Sequence, residues 1–444
     1  TIKVINVPRG IGLIPVSLEL KVEDYLSGIN YIKVEAQQPS GTHLLLEKQF
    51  LSFKGSNKKR RKKKADLRLV FDRDKTELDE GEVKIVATVK DNSLFRNTSS
   101  VVIPLYVDYR EPVLKVFQEP LTSEGTPYLL FYKAVDENLS ASGVKVGQRV
   151  FLGAPSQYFD PTIKAPDVYG VIFAPPLGAS SAIIKVFAED RAGNTKSISF
   201  YNRIRKVRQR IVNKTLQEDF LRITVSRLAR DFLILLKRRY SKENKVFKYT
   251  TKPGTIERLL EKFMIVNERF SQVSEQAVSE YLKKGVRFER FWKEPFDPPS
   301  NAFTIQFGDK IAYLYGNLVV SSRVSKGMFF ATAANSEVYA LLGGMVLFSD
   351  NIGTYGRTIA IDHGLGVVSI YANLSSAAVK EGDVVTRGQL IGLSGQSGLS
   401  SETGYYLEVR VGSVAVNPSL WWNSSWFNTQ IKKPIREVKN IFSK

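Results

Sequence analysis

The run GRTIAIDHGLGVVSIYANLS, residues 356–375, decides how the last third of the chain is read. β-Branched and aromatic residues fill two stretches, TIAID and VVSIYA, and the Gly-rich HGLG separates them. Runs of this kind on either side of a glycine signal read as strands joined by a turn. The same character extends upstream through TIQFGDKIAYLYG and VYALLGGMVLFSD, and downstream through GQLIGLSG and YYLEVRVGSVAVNP. Residues 301–422 are therefore expected to form one antiparallel β domain, with glycines where strands turn or bend.

The chain has 444 residues, too many for one core, and 43% are apolar, enough to fill several. Lys and Arg exceed Asp and Glu to give a formal charge of +20, a field that draws polyanions and anionic surfaces. Cysteine is absent, which excludes a disulfide framework and thiolate catalysis. The two histidines, His43 and His363, are too few for most imidazole zinc sites. No run of 18 apolar residues spans a bilayer, and a signal or membrane anchor upstream of Thr1 is left open.

Residues 1–203 read as β, in short runs such as VSLELKV, YIKVEA, LRLVF and VKIVATV. They repeat internally. EDYLSGINYIKV (23–34) matches DENLSASGVKV (136–146), and IVATVKDNSLFRN (85–97) matches IKVFAEDRAGN (184–194). The first pair is offset by 115 positions (Gly28 to Gly143) and the second by 99 (Asp91 to Asp190), so the first copy is 16 residues longer. The run KGSNKKRRKKKAD (54–66) is about that long and reads as an inserted loop. The closing A-x-D-x-A-G-N resembles bacterial immunoglobulin-like modules, so two such β-sandwiches are expected, over 1–109 and 110–203.

Within the loop, Lys58, Lys59, Arg60, Arg61, Lys62, Lys63 and Lys64 repel one another and should be solvated. They are candidates for contact with an acidic envelope polymer or lipid headgroups. Nucleic acid fits poorly, because no aromatic residue interleaves with the run to stack bases.

Over 204–300 the period becomes helical. Thr215 to Glu218 has the form of a capping box, and helices are expected after it, from Ile256 to about Asn267, and from Ser271 to Lys284. FWKEPFDPPSNA (291–302) is a proline-rich stop, and 423–444 reads as a basic tail with apolar anchors.

The last domain resembles the M23 zinc peptidases, the LytM or lysostaphin-like family that cleaves peptidoglycan cross-bridges. VYALLGGMVLFSD, GRTIAIDHGLGVVSIYANLS, VKEGDVVTRGQLIGLSGQSG and VNPSLWW match its successive segments. The resemblance implies three zinc ligands, from H-x-x-x-D and from the second histidine of H-x-H. Here those positions hold Ser325, Phe329 and Glu408. It also implies two proton-handling histidines, whose positions hold Tyr406 and Asn373. All five are replaced. The glycine and strand pattern is kept, while of the ligand positions only Glu408 still carries a carboxylate, far short of a zinc site.

The expectation is therefore a pseudo-peptidase without catalytic residues, metal or other cofactor, in the periplasm or envelope of a bacterium. It would bind peptidoglycan or a peptidoglycan hydrolase through a cleft formed by Phe329, Phe330, Asn373, Tyr405, Tyr406 and Glu408. The alternatives are an active endopeptidase with atypical ligands and a purely structural envelope scaffold. His363 is read as supporting a turn and His43 as a strand or surface residue. No G-x-S-x-G or Walker motif is present, and GLSGQSG lies between strands rather than before a helix.

Overall fold

A computed structural model describes residues 1–50, 62–93, 95–119, 122–200, 204–239, 251–283, 287, 289–290 and 292–442. Lys58, Lys59, Arg60 and Arg61 lie outside them, so the basic run is seen only as Lys62, Lys63 and Lys64, all exposed. The chain is mainly β with helical segments, and it divides into two compact units. One comprises Thr1–Lys115, Lys133–Ser142 and Val186–Ile198. The other comprises Val116–Tyr132, Gly143–Lys185 and Ser199–Lys444.

The first unit contains a three-stranded sheet, ordered Ile2–Asn6, Val16–Glu23, Lys64–Phe71. It also contains a four-stranded sheet, ordered Gly41–Gln49, Ile29–Gln38, Gly81–Asp91, Thr98–Val107. Strand alternation drives the packing. In Lys64–Phe71 every second residue is buried, placing Ala65, Leu67, Leu69 and Phe71 in one core with Leu18, Ile32, Val34 and Ile85. His43 sits half-buried in Gly41–Gln49. Eight further strands between residues 113 and 200 make two four-stranded sheets.

The repeated D…N ending has a physical basis. Asn97 Nδ2 donates to Asp91 Oδ2 at 3.0 Å, and Asn194 Nδ2 donates to Asp190 Oδ2 at 2.7 Å. Each pair closes the turn after its strand. Buried Asn194 does more: its Nδ2 also reaches the Asp108 carbonyl at 2.8 Å, and its Oδ1 accepts from Leu13 N at 2.6 Å.

In the second unit the helical pattern is present but its start differs. Thr215 ends a strand, Ile211–Thr215, that pairs in parallel with Lys310–Tyr315. The helix begins at Glu218, capped by Gln217 with no side-chain hydrogen bond. The capping box therefore does not form, because strand pairing claims the threonine. The two later helices are one continuous rod. Ile256–Ile265, capped by Thr255, passes through a wider turn at Val266–Phe270 into Ser271–Lys283. Its buried stripe, including Leu259, Phe263, Val266 and Phe270, packs with Leu221, Val225, Leu228 and Phe232. Residues 423–442 also fold: Ser424–Phe427 and Lys433–Phe442 are helical, with Phe427, Ile431 and Val438 buried.

The main sheet of this unit runs Phe303–Ile305, Met328–Ala331, Gly404–Val411, Val367–Ala377, Gly356–Asp362, Gly344–Ile352, Val384–Val385. Its central strands are buried on both faces. In Val367–Ala377 the first eight residues are all buried. Among the described residues, no helix is long and apolar enough to cross a membrane.

Candidate functional site

Register brings distant parts of the sequence together. Phe329 lies directly opposite Tyr406, and Tyr406 is opposite Ala372, the neighbour of Asn373. These strands, the 256–283 rod and the strand Leu318–Val324 enclose a cleft of about 420 Å³. Ser325, Phe329, Asn373 and Tyr406 all line it.

Each replacement has a settled place. Ser325 is 4% exposed, and its hydroxyl donates to the Gly327 carbonyl at 2.9 Å. Phe329, 6% exposed, joins the cluster of Ile305, Ile311, Tyr313 and Leu399. Asn373 sits at a register shift between Gly356–Asp362 and Val367–Ala377, with φ at 63°. Asparagine tolerates this left-handed conformation better than most side chains. Its Nδ2 donates to the carbonyls of Tyr355 at 3.1 Å and Ser397 at 2.8 Å. Burial, with the nearby Glu408 carboxylate, holds the Tyr406 phenol well above its ordinary pKa, so it stays protonated.

Glu408 is fully buried and, against the expectation, does not line the cleft; it sits behind Tyr355, which does. Its Oε1 accepts from Arg410 Nε at 2.5 Å, and its Oε2 accepts from the Tyr355 hydroxyl at 3.1 Å. Residues two apart on a strand share a face, which is why LEVR places the carboxylate beside the guanidinium. Burial works against the charge of Arg410, but Glu408, with Tyr355 and Glu275, more than offsets it and the pKa is raised. Arg410 Nη1 donates further to Ser279 Oγ at 3.2 Å, tying the sheet to the helical rod. Sequence reasoning missed Arg410 and Tyr355. The charge pair within an otherwise apolar strand was the available signal.

The structure does not bring Phe330 and Tyr405 to the cleft. They stack on each other with centroids 5.1 Å apart, on the strand faces opposite to Phe329 and Tyr406. Phe330 instead borders a separate pocket with Phe303 and Trp422.

His363 is fully buried, with Nδ1 donating to the Gly343 carbonyl and Nε2 accepting from Ser369 Oγ, each at 2.8 Å. Burial pushes its pKa down to about 4, so it is neutral. Next to it, burial pushes the Asp362 carboxyl up to about 6.

The residues at the family's ligand positions do not fit a zinc ion. Zinc takes about four donors, three of them from protein in catalytic sites. Ser325 is a neutral hydroxyl already bonded, Phe329 has no donor atom, and both Glu408 oxygens are engaged by Arg410 and Tyr355. Among the described residues one carboxylate group could hold a cation, namely Asp108, Asp136 and Asp190 in the first unit. Backbone N–H groups of Arg110, Asn138 and Asn194 already bond these side chains.

The cleft region has relatives among known proteins. The family model Peptidase family M23 matches residues 323–418. The murein hydrolase activator EnvC of Escherichia coli is 36% identical over 107 residues, covering 24% of this chain and 26% of that protein. The DD-carboxypeptidase/endopeptidase Mpg of Neisseria meningitidis is 33% identical over 96 residues, 22% of each chain. The stage II sporulation protein Q of Bacillus subtilis is 32% identical over 99 residues, 21% of this chain and 35% of that protein. The chain thus spans between 22% and 35% of the length of these three relatives. On that family match, residues 323–418 are a domain of peptidase family M23.

Proposed function

We propose that this chain is a non-catalytic M23-domain protein of the bacterial cell envelope that binds peptidoglycan or a peptidoglycan hydrolase and regulates or scaffolds wall remodelling. The observation that carries the reading is Glu408, the last carboxylate at a ligand position, locked fully buried against Arg410 and Tyr355. With Phe329 and Ser325 beside it, the cleft has no ready donor set to activate a water or polarise an amide. Phe329 and Tyr406 leave it a wall that can grip a peptide or partner side chain. A relative whose name is murein hydrolase activator supports a regulatory role, and one named as a carboxypeptidase/endopeptidase keeps the enzymatic alternative in view.

The N-terminal β segments are proposed as two immunoglobulin-like modules that present the M23 domain. The basic run from Lys58 to Lys64 is proposed to lie near acidic polymers or headgroups. Metal analysis of the purified chain together with a sacculus digestion assay tests the central point. Substoichiometric zinc, no released muropeptides, and co-sedimentation with sacculi or capture of a purified amidase are expected. Stoichiometric zinc with soluble muropeptides would establish the endopeptidase instead. Absence of binding to both sacculi and amidase would leave a structural scaffold.

A further inference from the structure

The cleft wall holds three cations, and the fold neutralises two of them. Lys214 pairs with Glu402 and Lys326 with Glu275. Arg323, half-buried on Leu318–Val324, has no carboxylate within 4.0 Å among the described residues. Its surroundings are phenols: the Tyr313 ring lies 5.9 Å from its guanidinium carbon, and Tyr355 and Tyr406 also border the cleft.

A second, independent observation lies one strand repeat away. Ser321 is two residues from Arg323 on the same strand face, roughly 7 Å along it. Its hydroxyl accepts from Asn267 Nδ2 at 3.0 Å and donates to Glu268 Oε1 at 3.2 Å. Asn267 lines the cleft, is 3% exposed, and its Oδ1 has no hydrogen-bond donor. A buried acceptor without a donor is destabilising, so this wall has a place for an N–H donor.

We infer that the cleft receives the C-terminal carboxylate of a short peptide, gripped by the Arg323 guanidinium, while Asn267 Oδ1 takes a backbone N–H of the same peptide end. Arginine presents a planar fork that matches a carboxylate with two parallel hydrogen bonds. The acidic side chains Glu268, Glu275 and Glu402 also border the cleft and disfavour a dianionic phosphate. Phe263, Ile311 and Phe329 supply apolar wall for a small side chain beside the terminus. This rests on the reading of the cleft as one that grips without cutting, and it names the chemical group that is gripped.

The test uses the full chain and N-acetyl-Lys-D-Ala-D-Ala as probe, in free-acid and C-terminal amide forms, by calorimetric titration. The free acid is expected to bind at least tenfold more tightly than the amide. Arg323→Gln should remove that preference, and Arg323→Lys should keep part of it. Equal affinity for acid and amide, binding of neither, or an undiminished preference in Arg323→Gln overturns the inference. The acid–amide comparison on the unaltered chain keeps it refutable if Arg323→Gln fails to fold. Sacculus co-sedimentation is measured in parallel. If it persists while the acid–amide preference is absent, the carboxylate grip falls and the proposed envelope function stands.

Discussion

Truncating Glu408 to alanine is expected to destabilise the second unit by about 4 kcal/mol. The figure follows from what the side chain touches. Arg410 is 1% exposed at its side chain, and its closest charge partner is Glu408 at 2.5 Å. Removing one member of a buried ion pair typically costs about 3–5 kcal/mol, because the other charge is left desolvated. The Tyr355 hydroxyl also loses its acceptor, adding about 1 kcal/mol. Arg410 keeps Ser279 at 3.2 Å and has Glu275 at 4.0 Å, which holds the sum toward its lower end. Replacing both partners together, Glu408→Leu with Arg410→Met, should recover most of the loss, since a well-packed apolar pair of similar volume is often as stable as the ions. The assay is urea unfolding followed by tryptophan fluorescence. All four tryptophans, Trp292, Trp421, Trp422 and Trp426, lie in the Ser199–Lys444 part of the second unit, so the signal reports on it rather than on the first unit. The midpoint should move with little change in slope. A loss below 1 kcal/mol in Glu408→Ala, or a double variant no more stable than the single one, would refute the claim that Glu408 serves as the counter-ion of Arg410.

Three other outcomes are expected. Phe329→Ala should cost about 3 kcal/mol by the same assay, near the low end for a buried phenylalanine because the residue borders an open cleft; a loss under 1 kcal/mol would show that the ring does not hold the cleft wall. Asn373→Ala should cost more than Asn373→Gly, because both lose the bonds to the Tyr355 and Ser397 carbonyls but only alanine is strained at φ 63°; the reverse order would remove the backbone from the explanation. Asp362 and His363 should pull the pH dependence in opposite directions. With a carboxyl raised from 3.8 to about 6, the folded state holds a proton that the unfolded chain has lost, so stability falls as pH rises through about 4 to 6. With an imidazole lowered from 6.5 to about 4, the unfolded chain takes the proton first, so stability falls as pH drops through about 6.5 to 4. Each amounts to roughly 3 kcal/mol, and they nearly cancel. His363→Gln leaves Asp362 alone, so the variant should gain stability on acidification from pH 7 to 4 relative to the parent chain; an unchanged profile would contradict the assignment.

The amino-acid sequence by itself carries the β character of the chain, the D…N turn endings of its repeat, the helical period after residue 204 and the M23 segments with their ligand positions emptied. These are properties of short stretches: period, turn residues and spacing. Register across the sheet is what gathers Ser325, Phe329, Asn373 and Tyr406 at one cleft, and the matched segments made that gathering legible in advance. Tertiary structure alone decided the rest. It turned Phe330 and Tyr405 away, because neighbours on a strand point to opposite faces and only the packed sheet says which face is the cleft. It drew Thr215 into a strand by pairing it with Leu314 about a hundred positions later, overriding a local capping signal. It fused two expected helices into one rod whose Asn267 and Ser279 reach strands of two different sheets, and it buried Glu408 against Arg410. Burial and partner choice depend on groups far apart in the chain, and no local pattern encodes the desolvation that ties the Glu408 carboxylate to the Arg410 guanidinium inside the sheet's packing.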